Sequence, residues 1–364
     1  MSESNHEVSR HHMLIGDKTM APPIRVALIG YGMAGKVFHA PLIAATDGLD
    51  LACIVSSDAA KVHSDWPHVR VDKMMETALA DPAIDLIVLA TPDHLHAPHA
   101  RAALDAGKPV VIDKPFAPTL AEAEAVANHA AARGLMLSIF QNRRWDADFL
   151  TLKRLIAEGT LGEIVQFESH FDRLRPTRPA RWQDNRAAGV WQDLGPHLVD
   201  QALHLFGLPR AVIADIAQQR TETSAPDYAH VILLYERLRV ILHMSQSTHA
   251  NGLRFAVHGT RASYIKHGLD VQEDQSKAGL RPDDAAWGID PVAGTTTRKT
   301  DPGALDVITV ETLRGDARAF YAGVRDALHG TAPNPVPPSE ALNVMRVIDA
   351  ACVSSARGAT ITLS

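Results

Sequence analysis

Three short runs of this chain combine residue types that can do chemistry. The first is Gly30-Tyr31-Gly32-Met33-Ala34-Gly35, a GxGxxG turn that follows the apolar run Ile24 to Ile29 and precedes a helical pattern. In such a turn the first glycine permits a tight bend, the second lets backbone approach a pyrophosphate, and the third allows a helix to pack closely on a strand. The second run is Asp113-Lys114-Pro115, which puts an ammonium at the end of an apolar stretch, with Thr91-Pro92-Asp93-His94-Leu95-His96 at the end of the stretch before it. Carboxyl ends of parallel strands are where open α/β sheets bind ligands. The third is Asp193-Leu194-Gly195-Pro196-His197-Leu198-Val199-Asp200, in which Asp193 and His197 stand four apart on one face of a helix entrance. Structural roles compete at each position: Asp193 also reads as an N-cap ahead of a first-turn Pro196, and a lone helix histidine is commonly a packing residue.

The glycine turn carries a second question, the identity of the dinucleotide. NAD sites place an acidic residue about 20 residues on, at the end of the second strand, to hold the ribose 2′-hydroxyl. Here that place is taken by Ser56 and Ser57, with Lys61 one helical turn further. Small hydroxyls leave room for a 2′-phosphate, so NADP(H) is the preferred reading and NAD(H) the alternative. Ser57 or Asp58 also suits the cap of the next helix, and Asp58 could slide back to the ribose.

Elements that could position these residues are legible in the apolar pattern. Strands are expected at Ile24 to Ile29, Leu49 to Val55, Leu86 to Ala90, Pro109 to Ile112 and Leu135 to Ile139, with helices such as His94 to Ala106 and Leu120 to Arg133 between them. Thr119 and Gly134 bound the second helix as cap and stop. This alternation describes a parallel sheet with crossover helices. After Asn142 the rhythm changes. A helix at Asp146 to Glu158 leads into a half-buried strand at Gly162 to Phe171, and further strands are expected at Ala211 to Ile216, His230 to Tyr235, Arg239 to Ser245, Arg254 to His258 and Ala262 to Ile265. Neighbouring strands of this kind imply a largely antiparallel sheet, interrupted by a helix at Pro196 to Phe206. Residues 268–304 are polar and without periodicity, which reads either as a lid or as disorder. An amphipathic helix starts at Ser339, with Leu342, Met345, Val347, Ile348 and Ala351 along its apolar side.

Composition excludes several classes. The 364 residues point to two domains, divided as a polar extension at 1–22 that is expected to be disordered, a dinucleotide domain at 23–141, a substrate and oligomerisation domain at 142–330 and a returning helix at 331–364. A net charge of −6 gives no basic footprint for nucleic acid, and the longest apolar run is too short to span a bilayer. With only two cysteines, Cys53 and Cys352, neither a disulfide framework nor a Cys-rich metal site is indicated, and a cytoplasmic location is expected. The first 22 residues lack the apolar stretch of a signal peptide, and Met20 stands just before the first strand, so start-site choice is one account of this extension. His94, His96 and His99 lack supporting HxxxH or Cys clusters, and no metal is expected.

Taken together, the GYGxxG turn, Thr91 to His96, Asp113 to Pro115 and Asp193 to Asp200 resemble the Gfo/Idh/MocA oxidoreductases. Asn142-Arg143-Arg144-Trp145-Asp146 and Glu168 to Arg173 look most like their NADP-dependent scyllo-inositol dehydrogenase branch. The resemblance covers nearly everything after residue 23. It departs from the family at Asp113, where glutamate is usual, and at Asp93, where asparagine is usual. It implies a Rossmann domain joined to an α+β domain with a large, open-faced, mostly antiparallel sheet, and a homodimer or homotetramer formed through that open face. It also implies that Lys114 sits between nicotinamide and substrate, that His197 is the acid/base, and that Asp193 orients substrate hydroxyls. Thr91, Pro92, His96 and Asp113 then belong to the cofactor side, beside Gly30 to Gly35.

Oxidising a secondary alcohol needs a base near pH 7 and a positive group for the developing alkoxide. His197 and Lys114 are suited to those tasks. Arg143, Arg144, Trp145, Arg173, Arg175 and Trp182 are candidates to line the substrate cleft, although each alone also suits a surface ion pair or a packing aromatic. The expected activity is reversible oxidation of a cyclic polyol such as scyllo-inositol. Its rivals are an aldose 1-dehydrogenase and a non-catalytic cofactor sensor.

Overall fold

The computed structural model describes residues 22–175, 189–221, 225–250, 252–300 and 303–363. In the first half, β1 (Ile24–Ile29), β2 (Leu49–Val55), β3 (Arg70–Asp72), β4 (Leu86–Leu89), β5 (Val110–Asp113) and β6 (Leu137–Phe140) form one parallel sheet in the order β3-β2-β1-β4-β5-β6. A π-turn at Gly35–His39 runs into α1 (Ala40–Ala44); α2 (Ala59–Asp65), α3 (Met75–Ala80), α4 (His96–Asp105) and α5 (Leu120–Ala132) follow. Strands β4 and β6 are buried along their whole length, which is why they read as unbroken apolar runs rather than alternating ones. The Thr119 hydroxyl accepts the Glu122 amide and donates to the Glu122 carboxylate, closing the start of α5. The short β3 carries no apolar run and escaped the sequence pattern; it is an edge strand with partly exposed residues.

This strand order reverses its winding between β1 and β4. The glycine turn after β1 and the Thr91 loop after β4 therefore open on one crevice. Gly30 makes that approach possible: its φ is +100°, and a Cβ there would lie 2.8 Å from the Ala90 carbonyl oxygen.

In the second half, α6 (Ala147–Ala157) precedes β7 (Ile164–His170) and α7 (Val190–Phe206). These are followed by β8 (Ala211–Ala217), β9 (Tyr228–Leu234), β10 (Arg239–Ser245), β11 (Leu253–Gly259), β12 (Ser263–His267), α8 (Gln272–Lys277), β13 (Gly294–Lys299), β14 (Leu305–Val310), α9 (Arg318–Leu328), α10 (Pro338–Arg357) and β15 (Ile361–Thr362). Nine strands form a sheet in the order β14-β13-β12-β11-β7-β10-β9-β8-β15, antiparallel except where β10 meets β7. Inward residues such as Phe167, Val231, Leu233, Val240 and Leu242 pack under α7 and α10, while the other face is left uncovered among the described residues. Helix α10 bridges the halves, with Ala341 in the first core and Val347 and Ala351 in the second.

Two expectations are corrected. Residues 268–304 contain the helix α8 and the strand β13, which extends the sheet; the segment is neither a structureless lid nor a disordered linker over its described residues. Its polarity reflects a strand near the sheet edge, where Thr295 and Thr297 need not be apolar. Helix α7 begins at Val190 rather than Pro196, so Pro196 is internal and Asp193 stands in the first turn, not at the cap. Gly189, with φ +49°, starts it: a Cβ there would lie 2.1 Å from the Pro226 carbonyl oxygen, which accepts the Val190 amide at 2.9 Å. Hydrophobic burial at Trp191, Leu194 and Leu198 outweighs the hydrogen bond that Pro196 removes.

A buried polar network ties α6, β11 and α7. Arg254, 1% exposed, donates to Asp148 at 2.6 Å, to Ser169 at 2.8 Å and to Gln201 at 2.8 Å. Removing one member leaves a buried charge uncompensated, so Asp148→Ala is expected to lower unfolding stability by about 3–5 kcal/mol. Chemical denaturation checks this, and a loss under ~1 kcal/mol would show that the pair contributes no more than an exposed one.

Candidate active site

The glycine turn, the Thr91 loop and the end of β5 form one wall of a cleft of about 260 Å³, and the start of α7 with Arg173 and Arg175 forms the other. Its lining includes Gly32, Met33 and Ala34 from the turn, Thr91, Pro92 and His96 from the loop, and Asp113 and Lys114 from β5. Arg143, Asp193 and His197 face them.

Lys114 crosses between the halves. Its ammonium donates to the Asp193 backbone oxygen at 3.0 Å and lies 3.7 Å from the Asp193 carboxylate. Behind it, Asp113 accepts the Lys114 amide at 2.8 Å and lies 3.5 Å from His39 Nε2, while His39 Nδ1 meets the Tyr321 hydroxyl at 2.6 Å. Burial alone would raise the Asp113 pKa, but the His39 contact and the Lys114 charge hold it below the usual carboxylate range.

His197 is 6% exposed, and its Nδ1 is buried without a hydrogen-bond partner among the described residues. Burial, reinforced by the positive charges of Lys114, Arg143 and Arg173, pushes its pKa well below 6.5. The imidazole is therefore neutral at pH 7 and able to accept a proton. Arg173 lies over the Phe171 ring at 4.6 Å; burial and the neighbouring Arg175 lower its pKa to about 10, which leaves it charged at neutral pH. Arg143 is held by Glu273 at 2.6 Å and Asp146 at 3.2 Å. Burial opposes ionisation of Glu273, yet Arg143 and Lys277 bring its pKa down to about 2.

Comparison with known proteins agrees with this layout. Family models described as the oxidoreductase family's NAD-binding Rossmann fold and its C-terminal alpha/beta domain match residues 24–141 and 153–363. This chain belongs to the Gfo/Idh/MocA oxidoreductase family. It is 50% identical over 347 residues to the uncharacterized oxidoreductase YdgJ of Escherichia coli (strain K12), covering 95% of this chain and 100% of that one. It is 38% identical over 356 residues to the scyllo-inositol 2-dehydrogenase (NADP(+)) IolW of Bacillus subtilis (strain 168), covering 96% and 99%. A solved protein from Yersinia pestis superposes with a TM-score of 0.91 at 50% identity, covering 95% of this chain and 98% of that one. The chain is thus an NAD(P)-dependent oxidoreductase with two sheets, as its motifs implied.

The glycine turn of this Gfo/Idh/MocA oxidoreductase fits a dinucleotide on its own geometry. A Cβ on Gly35 would meet the Gly30 carbonyl oxygen at 2.2 Å, whereas a Cβ on Gly32 would meet nothing within 4 Å. Gly30 and Gly35 are thus required by the fold itself. Gly32 leaves a space bordering the cleft that the chain does not use, the space a pyrophosphate would take.

The structure separates the other expected residues. Tyr31 does not line the cleft: its hydroxyl donates to Asp65 at 2.9 Å and its carbonyl accepts Lys61 at 2.9 Å. Ser56 and Ser57 lie at the rim beyond β2, outside the cleft lining, and Asp58 caps α2 by accepting the Lys61 amide. His96 is held between the carbonyls of Pro115 at 2.8 Å and Thr91 at 2.9 Å, so it ties the two loops together. Trp145 is corrected: its ring packs edge-on against Phe320, 5.8 Å away in the first core, rather than facing the cleft. Arg144 is likewise structural, paired with Asp200 at 2.6 Å and 2.8 Å. Trp182 lies outside the described residues. Glu273, Asn142 and Phe38 also line the cleft and were missed; Glu273 sits 130 positions from Arg143, so no local signal could pair them.

The contrast between the glycines is testable. Gly32→Val is expected to leave stability within about 0.5 kcal/mol while raising the dinucleotide dissociation constant at least about tenfold. Gly35→Ala should instead unfold the protein more easily. Melting curves and fluorescence titration with NADPH and NADH check both, and unchanged cofactor affinity in Gly32→Val would remove the turn from the binding site.

Proposed function

We propose that this protein catalyses the reversible, NADP-linked oxidation of a secondary hydroxyl on a cyclic polyol, of the scyllo-inositol 2-dehydrogenase type. The observation that carries the reading is the convergence of Lys114, from the end of β5, with Asp193 and His197, from the first turns of α7, on a cleft continuous with the glycine turn. When bound, the nicotinamide supplies the hydride acceptor. His197 takes the proton of the reacting hydroxyl, through the ring nitrogen other than its buried Nδ1. The Lys114 ammonium stabilises the oxygen as negative charge develops there. Asp193 holds Lys114 in place and accepts hydrogen bonds from neighbouring hydroxyls, and Arg173 and Arg175 supply donors across the cleft.

Support for NADP comes from the rim beyond β2. Ser56 and Ser57 place no carboxylate there, and the nearby Asp58 is committed to capping α2. The identity with IolW over nearly the whole chain supports the polyol class. The uncovered face of the second sheet, with Ile213 38% exposed upon it, suits self-association into a dimer or tetramer.

The assignment of roles predicts that His197→Ala and Lys114→Met each lower kcat by about 10² to 10⁴ while cofactor affinity stays nearly intact. A base acts only when neutral. With its pKa depressed, His197 should lose activity only as pH falls below 6.5, so the acid limb of kcat/KM for oxidation lies under that value. Arg173→Met removes one of the charges that depress it and should move the limb to higher pH. Near-normal turnover in His197→Ala would make this histidine structural.

A spectrophotometric screen of NADPH and NADH with inosose, inositols and common aldoses tests the substrate class, with NADPH and a cyclic polyol pair expected to turn over fastest. Ser57→Asp should shift preference toward NADH by charge repulsion. Fastest turnover with aldoses would point to an aldose 1-dehydrogenase, and cofactor binding without turnover of any substrate to a sensor.

A further inference from the structure

The uncovered face of the second sheet carries an unusual row of side chains. Three strands align their histidines: His243 of β10 is the direct partner of His170 on β7 and of His230 on β9. Alternation along β7 sends Phe167 and Ser169 into the core and Glu168 and His170 to the open side. Just past β7, Asp172 reaches the same place. None of these groups lines the dinucleotide cleft.

We infer that His170, Asp172 and His243 form a binding site for a single zinc-type divalent cation on this face. A tetrahedral zinc ion with bonds of about 2.0–2.2 Å holds neighbouring ligand atoms about 3.3–3.5 Å apart. His170 Nδ1 lies 3.2 Å from Asp172 Oδ2, and His243 Nε2 lies 3.7 Å from the other oxygen of that carboxylate, Oδ1, so the carboxylate stands between the two rings and faces each with one oxygen. One ligand atom from each of the three residues lies within 4.8 Å of the others, so turning the carboxylate and the imidazoles about their side-chain bonds brings one oxygen and two nitrogens to tetrahedral spacing. Two nitrogens and one carboxylate oxygen suit zinc, with water completing the fourth position.

An independent feature supports the assignment: each ligand already has the outer partner that metal-binding groups require. His170 presents Nδ1 to Asp172 while its Nε2 lies 3.4 Å from Glu168, and Glu168 is itself held by Gln166 at 2.5 Å. His243 presents Nε2 while its Nδ1 meets His230 Nδ1 at 3.2 Å. The Asp172 carboxylate accepts the Ser245 amide at 2.9 Å, which fixes its orientation. Such outer contacts set ring tautomer and direction, and a solvated row of histidines kept only for polarity has no need of them. The spacing in sequence hid the site, because a cross-strand pair places ligands 73 positions apart.

The test uses the untagged full chain, stripped with a chelator and titrated with Zn²⁺ against a chromophoric competitor. One ion per chain is expected. His170→Ala and His243→Ala should each raise the dissociation constant at least about 100-fold, and Glu168→Gln about 10-fold through the outer partner. His258→Ala, another histidine of this sheet bonded to Ser263, should change nothing. Melting of each variant reports whether it folds. If an alanine variant does not, Asp172→Asn decides, since its amide oxygen can still accept the Ser245 amide while the charge is lost. Absence of saturable binding would overturn the site. So would binding that survives both alanine substitutions and disappears when residues 1–21, with His6, His11 and His12, are deleted.

Discussion

The site depends on how α7 is anchored. This helix carries Asp193 and His197, and its position relative to the first sheet is set by the buried bidentate pair between Arg144 and Asp200. Arg144 belongs to the turn that follows β6, so a residue at the edge of the dinucleotide half grips the helix that supplies the other half of the cleft. Burial of Asp200 favours its neutral form and its pKa is raised, with the Arg144 charge opposing that shift. Two desolvated charges are costly unless their geometry satisfies both partners. That demand makes the pair a register device: any slide of α7 would break two short hydrogen bonds at once. Gln201, donating to the Arg143 carbonyl at 2.7 Å, secures the next position.

From that anchoring follows the electrostatic character of the cleft. Lys114, Arg143, Arg173 and Arg175 converge on it, opposed by Asp93, Asp113, Asp193 and Glu273. The pairing is unequal. Arg143 is paired with Glu273 at 2.6 Å and contacts Asp146 at 3.2 Å, while Arg173 stacks on Phe171 with its Nε lacking a partner among the described residues. Burial, reinforced by the charges of Lys114, Arg143 and Arg173, keeps His197 unprotonated, and the same cationic side chains offer donors to an anionic ligand in the cleft.

Much of this was legible in residue order. The largely apolar runs at β1, β4 and β5 and the GxGxxG turn announced a parallel sheet with a dinucleotide edge, because burial on both faces leaves a signature that needs no partner to be read. Lys114 was legible for the same reason, as a charge at the mouth of such a run. Elements at or next to a sheet edge were not: β3 and β13 tolerate polar residues, so their pattern vanishes where burial does. Trp145 and Arg144 show the converse limit. Their types suit a sugar cleft, yet whether an aromatic or a guanidinium faces solvent, substrate or core is decided by the packing of Phe320 and Asp200, far away in the chain.

By itself, then, the order of residues determined the class of fold and the glycine turn, since these are written in local spacing and period; Lys114, Asp193 and His197 were singled out by motifs that resemble a family, because spacing alone left Asp193 a cap and His197 a packing residue as well. Only the tertiary structure decided that α7 begins six residues before Pro196, that Glu273 enters the cleft, that Gly32 rather than its neighbours leaves open space, and that His170, Asp172 and His243 meet. Each of those outcomes rests on contacts between segments far apart in sequence. Side-chain packing and cross-strand register set such contacts, and neither has a signature within the span of one helix turn or one strand.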